Sequence, residues 1–408
     1  MLKTLHIVGF KSISEVSLEL GRINVFIGAN GSGKSNLLEA IGVLGAAASG
    51  AVEPESLRYR GVRPGLPAIY KSSFTAQRLR RIITLETESE LGRFRIGLDN
   101  PIQSRDAKWR VTWETLEVAV RGRFKSVVSR SPRGIRLFLP DQSRIGIRDT
   151  NITDQMTLSR SQLLRWTDVP ESNALIEDLT NFAIFSPTTP VLRGLTTEDI
   201  AREPVGLSGS ALPQAFRFLI RNRVNSDALD DFIGLIDWAR YVGVSSTVSL
   251  PISPAVSTAN LSFRFTDRYM RHRRNVLSGY DASEGALYII FLAVLALHPS
   301  SPRVFAIDNF DQALHPRLVR ELTERFCDVV LEKDDAQIFI STHNPLALDG
   351  LDLTNDEIRL FGVDRDHAGA TMIRRIDVPR IRQTRAGNRQ SLSQLWVMGR
   401  LGAVPTLF

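Results

Sequence analysis

The chain has a single cysteine, Cys327, among its 408 residues, so no internal disulfide can form. Cys327 lies in an apolar stretch of helical spacing and reads as a small core residue, not a reactive thiol. No run of about 18 apolar residues occurs, so no membrane-spanning helix is expected. The opening MLKTLHIVGFKSI lacks the apolar centre and small-residue cleavage site of a secretory leader. Together with the cysteine usage, this points to a cytoplasmic protein with no membrane partner. Heptad runs and internal repeats are also missing, which excludes a long coiled-coil arm. Neither a clustered set of histidines nor an acidic constellation suited to phosphodiester cleavage follows the central motifs, so the chain carries no recognisable nuclease centre of its own. Acids fall short of bases, 44 against 51, for a net charge of +7. That balance makes DNA a candidate partner without requiring one.

What is present is organised around Gly28–Ser35, GANGSGKS, which fits GxxxxGK[ST]. The apolar run Ile23–Ile27 reads as a buried strand before it, and Asn36 to Leu44 carries apolar residues at helical spacing after it. Strand, glycine loop and helix are the context in which this pattern binds phosphate. The glycines let successive N–H groups turn inward, and the helix N-terminus adds partial positive charge. Asn30, Gly31, Ser32, Gly33, Lys34, Ser35 and Asn36 are therefore the candidate ATP-binding set. In that set Lys34 reaches the β- and γ-phosphates, and the Ser35 hydroxyl ligates Mg²⁺.

Around this centre, LKTLHIVGF and SEVSLEL alternate as strands leading toward the phosphate-loop strand. Residues 46–67 read as loop, with proline and glycine throughout. Segments from Arg81 to Val120 alternate at period two and predict an antiparallel sheet. Arg121–Arg148 is strongly basic, with Asp141 its one acid, and reads equally well as a nucleic-acid or partner surface or as solvated strand faces. Glu171–Leu179 predicts a helix, and Asn181–Phe185 a strand. Ser210–Arg223 and Asp227–Tyr241 predict two helices, and 242–250 and 261–266 strands. Arg268–Arg274, RYMRHRR, is a second basic cluster. Ser283-Glu284-Gly285 precedes the apolar helix Ala286–Leu297. Arg303–Asp308 is an apolar strand ending in an acid, and Gln337–Thr342 another that ends at His343.

These motifs, in this order, resemble ABC-type ATPase heads of the SMC/RecF/OLD kind, within the broad group of AAA family ATPases of bacterial defence and repair. The resemblance covers about 1–70 and 202–408. It implies an α/β fold: a mixed sheet around the phosphate loop, an antiparallel sheet, and a helical signature lobe. Three parts of one composite ATPase domain are expected: 1–120 with the phosphate loop, 121–280 as insertion and helical lobe, and 281–408 with the signature, acid strand and switch histidine. In that family Ser283, Glu284 and Gly285 would contact the γ-phosphate held by an opposite subunit, Asp308 would be the Mg²⁺ partner, and His343 would sense the γ-phosphate. The family usually follows the acid with Glu as general base; here Asn309 stands there, and an amide cannot take the proton. Asp311 is the candidate substitute, with an N-cap of the next helix as its other reading. Ala313–Pro316 resembles the family's turn that touches a partner subunit. The glutamine that usually joins nucleotide to the helical lobe has only Gln77 and Gln103 as positional candidates.

The resemblance implies a homodimer or higher oligomer closed around ATP. It also implies a slowly hydrolysing switch that controls a separate effector protein, a nuclease being the expected kind, in antiphage defence. A DNA-binding repair ATPase and an ATP-binding scaffold without turnover are the alternatives.

Overall fold

The two N-terminal segments become β1 (Leu2–Phe10) and β2 (Ile13–Glu19), and Ile23–Ile27 becomes β3. The chain then splits its strands between two sheets. β1 and β2 do not join β3; they are the edge of an eight-stranded sheet in the order β2-β1-β4-β5-β6-β7-β8-β9. Its other members are β4 (Ile82–Ser89), β5 (Gly92–Asp99), β6 (Arg110–Val120), β7 (Arg123–Ser131), β8 (Gly134–Phe138) and β9 (Arg144–Ile147). Every pairing in it is antiparallel, as the period-two alternation predicts. The computed structural model describes residues 1–75, 79–99, 108–138, 144–147, 155–158, 170–377 and 391–402. Gln77, Gln103, Asp141 and Arg148 lie outside the described residues.

β3 is the middle of a second, six-stranded sheet, ordered β10-β14-β15-β3-β16-β17. Its strands are β10 (Ala183–Phe185), β14 (Val304–Ile307), β15 (Gln337–Thr342), β16 (Ile358–Arg365) and β17 (Thr371–Arg375). All pairings are parallel except the last, β16 with β17. All five residues of β3 are buried, which is why four of them are apolar without alternation; the fifth, Asn24, is hydrogen-bonded to Gly21 and Ile338. Gln337 stitches the sheets together: its amide exchanges hydrogen bonds with Leu2 (2.8 and 2.7 Å) and donates to the Gly21 carbonyl (2.7 Å).

The phosphate loop opens helix α1 (Lys34–Ala48). α1 runs three residues further than glycine punctuation suggests, because Gly45 lets it press against the next layer. A Cβ there would sit 2.3 Å from the Leu179 carbonyl oxygen of α3 (Pro170–Asn181). The stretch expected to be loop holds a short helix, α2 (Pro54–Tyr59), started by proline in its first turn.

The helical lobe comprises α4 (Thr189–Leu192), α5 (Leu212–Asn222) and α6 (Ser226–Gly234), with a three-stranded sheet. That sheet is β11 (Ala239–Ser246), β12 (Leu261–Asp267) and β13 (Val276–Ser278). The expected helix Asp227–Tyr241 thus ends early. After Gly234 the N–H groups of Leu235 and Ile236 close tight turns onto Phe232 and Ile233, and Tyr241-Val242 enter β11, where aromatic and β-branched side chains favour extended backbone.

α7 (Glu284–Leu297) is buried from Ala286 to Leu297, apolar on every side as an internal helix must be. α8 (Pro316–Glu332) covers the sheet, and α9 (Leu392–Val397) closes the described chain with a capping box on Ser391 and Gln394. Cys327 sits in α8 with its thiol pushed well up by complete burial, as a core residue. The expected boundary between 120 and 121 falls in the turn from β6 to β7, within one continuous sheet.

Candidate functional site

Lys34 and Ser35 are held where β3 gives way to α1. Gly31 (φ 78°) and Gly33 (φ 115°) adopt left-handed backbone, which glycine enters without steric cost. A side chain at Gly33 would also meet Thr371 Oγ1 at 2.2 Å. The loop is strapped from outside: Thr371 Oγ1 donates to the Ser32 carbonyl (2.7 Å) and Arg365 Nε to the Gly31 carbonyl (2.9 Å). Asn36 Nδ2 donates to Ser12 Oγ (2.6 Å), which in turn lies 2.7 Å from Thr371 Oγ1. Asn30 is exposed at the loop's open side.

Inside this loop lie two buried polar groups, Lys34 and Ser32. Lys34 is 7% exposed, and its ammonium donates to the Gly28 and Ala29 carbonyls at 2.7 and 3.0 Å. Burial lowers its pKa, against the pull of Asp308 and Asp311. Ser32 Oγ is buried without a hydrogen-bond partner. A buried cation with no ion pair among the described residues and an orphaned hydroxyl at a helix N-terminus fit phosphate oxygens.

Across the sheet, Ser35 Oγ donates to Asp308 Oδ2 at 2.8 Å. The other oxygen of Asp308 accepts from Ser341 Oγ, which also accepts the Asn309 N–H at 2.9 Å. Ser35 and Asp308 are thus oxygen donors side by side, suited to Mg²⁺, which takes few protein ligands and keeps water and phosphate oxygens for the rest. No group of three or more His, Cys, Asp or Glu among the described residues forms a fuller cage.

Asn309 has left-handed backbone (φ 59°), and its carbonyl accepts from Tyr288 Oη at 2.8 Å. Burial and the neighbouring Asp311 and Asp308 push that phenol well above its ordinary range. Asp311 is 6% exposed: Oδ1 accepts from Thr342 Oγ1 (2.7 Å), and Oδ2 lies 3.4 Å from His343 Nε2. It does not cap the following helix, since α8 begins at Pro316 with His315 at its N-cap. His343 itself is about half exposed.

Residues 202–349 match the family described as "AAA domain, putative AbiEii toxin, Type IV TA system", and residues 1–99 the family described as "AAA ATPase domain". The DNA replication and repair protein RecF of Paenarthrobacter aurescens (strain TC1) is 34% identical over 109 residues, 26% of each chain. The match therefore spans about a quarter of that relative's length. A solved SMC head, bound to the C-winged helix domain of ScpA, overlays 94% of this chain and 99% of its own, at 12% identity and TM-score 0.51. The fold is that of an ABC-type ATPase head of the SMC/RecF kind.

In this ABC-type head the signature residues stand apart from the phosphate loop. Ser283 caps α7, accepting the Ala286 N–H at 3.3 Å, and Glu284 accepts from the Thr189 hydroxyl. Gly285 lies against the Ala313 carbonyl, so the signature turn touches the turn that follows Asp311. No hydrogen bond or ion pair among the described residues joins Ser283, Glu284 or Gly285 to the phosphate loop.

Two residues of the head escape motif reading. Ser341 clamps both Asp308 and Asn309, and only the polar end of an otherwise apolar strand hints at it. Arg63 donates from Nε to Glu39 Oε1 at 2.6 Å, and Lys11 donates to the same carboxylate's Oε2. Arg63 is largely exposed, yet its guanidinium feels Asp308 as well as Glu39, and its pKa is raised. The sequence signal was a carboxylate on the buried face of α1, a position that needs a cationic partner.

Proposed function

We propose that this head binds ATP with Mg²⁺, dimerises around it and hydrolyses it slowly. In this reading it is a switch that holds or releases a separate effector, a nuclease being the expected kind, in antiphage defence. Lys34, Ser32 and the loop N–H groups take the phosphates, Ser35 and Asp308 the metal, and Ser283–Gly285 the γ-phosphate bound by a second copy. The observation that carries the reading is the pair Asn309 and Asp311. The residue after the metal acid is an amide, which cannot take a proton, and the next carboxylate accepts from Thr342 and lies 3.4 Å from His343. A head built this way closes on ATP and reopens slowly, which suits a switch better than a processive motor. The match to a toxin–antitoxin AAA domain supports a defence setting.

Co-purification with the products of flanking genes tests it. A nuclease-bearing partner retained with ATP and released on its depletion is the expected result; retention independent of nucleotide would contradict the switch. The RecF likeness favours a second reading, a repair ATPase loaded on DNA.

A further inference from the structure

The β11–β13 sheet carries a charge imbalance that the ATP site does not use. Between Ala239 and Tyr280 there are six arginines and a single acid, Asp267. Arg240, Arg264, Arg268, Arg271, Arg273 and Arg274 are all exposed, and none forms an ion pair among the described residues. Asp267 is turned inward on the hairpin, its Oδ1 accepting the N–H groups of Tyr269 (2.7 Å) and Met270 (3.0 Å). The hairpin is firmly held: Arg268 Nη2 donates to the Ala239 carbonyl (2.9 Å), and the Asp267 N–H to the Asn275 carbonyl (2.8 Å). Like charges gathered on a fixed surface repel one another, so this arrangement costs stability unless an anion meets it.

Aromatic rings lie among these cations. Tyr241 is 56% exposed and Tyr269 76%. The Tyr241 ring lies across Gly243, where a Cβ would stand 2.5 Å from its hydroxyl. Gly243 pairs with Arg264 on β12, so ring and guanidinium share the outer face while Phe263 and Phe265 fill the inner one. A duplex offers this face phosphates alone. A single strand offers phosphates to the arginines and unpaired bases to the rings.

We infer that the outer face of β11–β13 binds single-stranded nucleic acid. The arginines track the backbone, and Tyr241 and Tyr269 stack bases. The surface is outside the ATP site and its occupancy does not depend on the switch reading above.

The full chain, without nucleotide, is titrated against a fluorescein-labelled dT12 strand and a 12-base-pair duplex, with anisotropy read across a salt series. Wild-type protein should prefer the single strand. The triple variant Arg271→Glu, Arg273→Glu, Arg274→Glu should lose affinity and flatten the slope of log Kd against log salt by about 2. Tyr269→Ala, which leaves every charge in place, should weaken the single strand roughly five- to a hundredfold and leave the duplex unchanged. A control triple on the other basic stretch, Arg121→Glu, Arg123→Glu, Lys125→Glu, should stay within about twofold of wild type. ATP binding of each variant, measured by calorimetry, shows that it has folded. Equal binding by the hairpin triple and wild type, preference for duplex, or equal loss in the control triple would each overturn the inference.

Discussion

Replacing Asn309 by Glu should accelerate phosphate release. The backbone of that residue is fixed at both ends, its N–H on Ser341 Oγ at 2.9 Å and its carbonyl on Tyr288 Oη at 2.8 Å, so the new side chain leaves the same backbone position and carries its carboxylate one methylene beyond the present amide. A positioned general base contributes roughly a hundred- to ten-thousandfold to rate, which is about 3–5 kcal/mol of barrier. Against this stands the left-handed backbone at φ 59°, which Asn tolerates better than Glu. The strain costs about 1 kcal/mol of fold stability and leaves the chemical gain intact. Single-turnover phosphate release from preloaded protein is the assay, with Asp311→Asn alongside. The expected pattern is a rise for Asn309→Glu and little change for Asp311→Asn, because Asp311 already accepts from Thr342 and lies 3.4 Å from His343. Brisk wild-type release that survives Asp311→Asn would refute the reasoning and mean that the base lies elsewhere.

Lys34→Ala should weaken ATP at least a hundredfold by calorimetry, since it removes a buried cation that faces only two carbonyls; unchanged affinity would remove the phosphate-loop assignment. Mixing Lys34→Ala chains with Ser283→Arg chains should recover one intact site per mixed dimer and about half the wild-type activity per dimer, whereas no recovery would place both residues in one chain's site. Burial holds the His298 imidazole below its ordinary range, and its Nδ1 accepts the Ser300 N–H at 3.1 Å. The unfolded chain therefore takes up that proton first. Stability is fully present above the ordinary histidine range and is lost as pH falls through it toward the folded value. Urea titrations from pH 7.5 to 5 should show this loss, and it should shrink in His298→Gln.

Local patterns were the legible ones. The phosphate loop, the turn at Ser283 before α7, and the alternation of β4–β6 each depend on residues close in sequence, where spacing reports directly on geometry. The arrangement around Asp308 is different: Ser35, Ser341 and Asp308 come from three elements that meet only because β3, β15 and β14 lie side by side. No spacing encodes that adjacency. Nor does spacing reveal that β1 and β2, though next to β3 in sequence, belong to the other sheet. The misjudged helix end near Tyr241 has a simpler cause. Apolar residues at 229, 232, 233 and 236 keep helical period up to the turn, and the change to strand comes after it.

ATP-driven association is the most direct measurement of the central claim. Sedimentation velocity of the wild-type chain with and without Mg-ATP, with phosphate release followed in parallel, reports closure and turnover together. The account predicts a monomer-to-dimer shift on adding Mg-ATP, a dimer that outlasts many minutes with little phosphate released, and no shift for Lys34→Ala. A chain that stays monomeric with ATP bound, or dimers that vanish within seconds as phosphate appears, would contradict it.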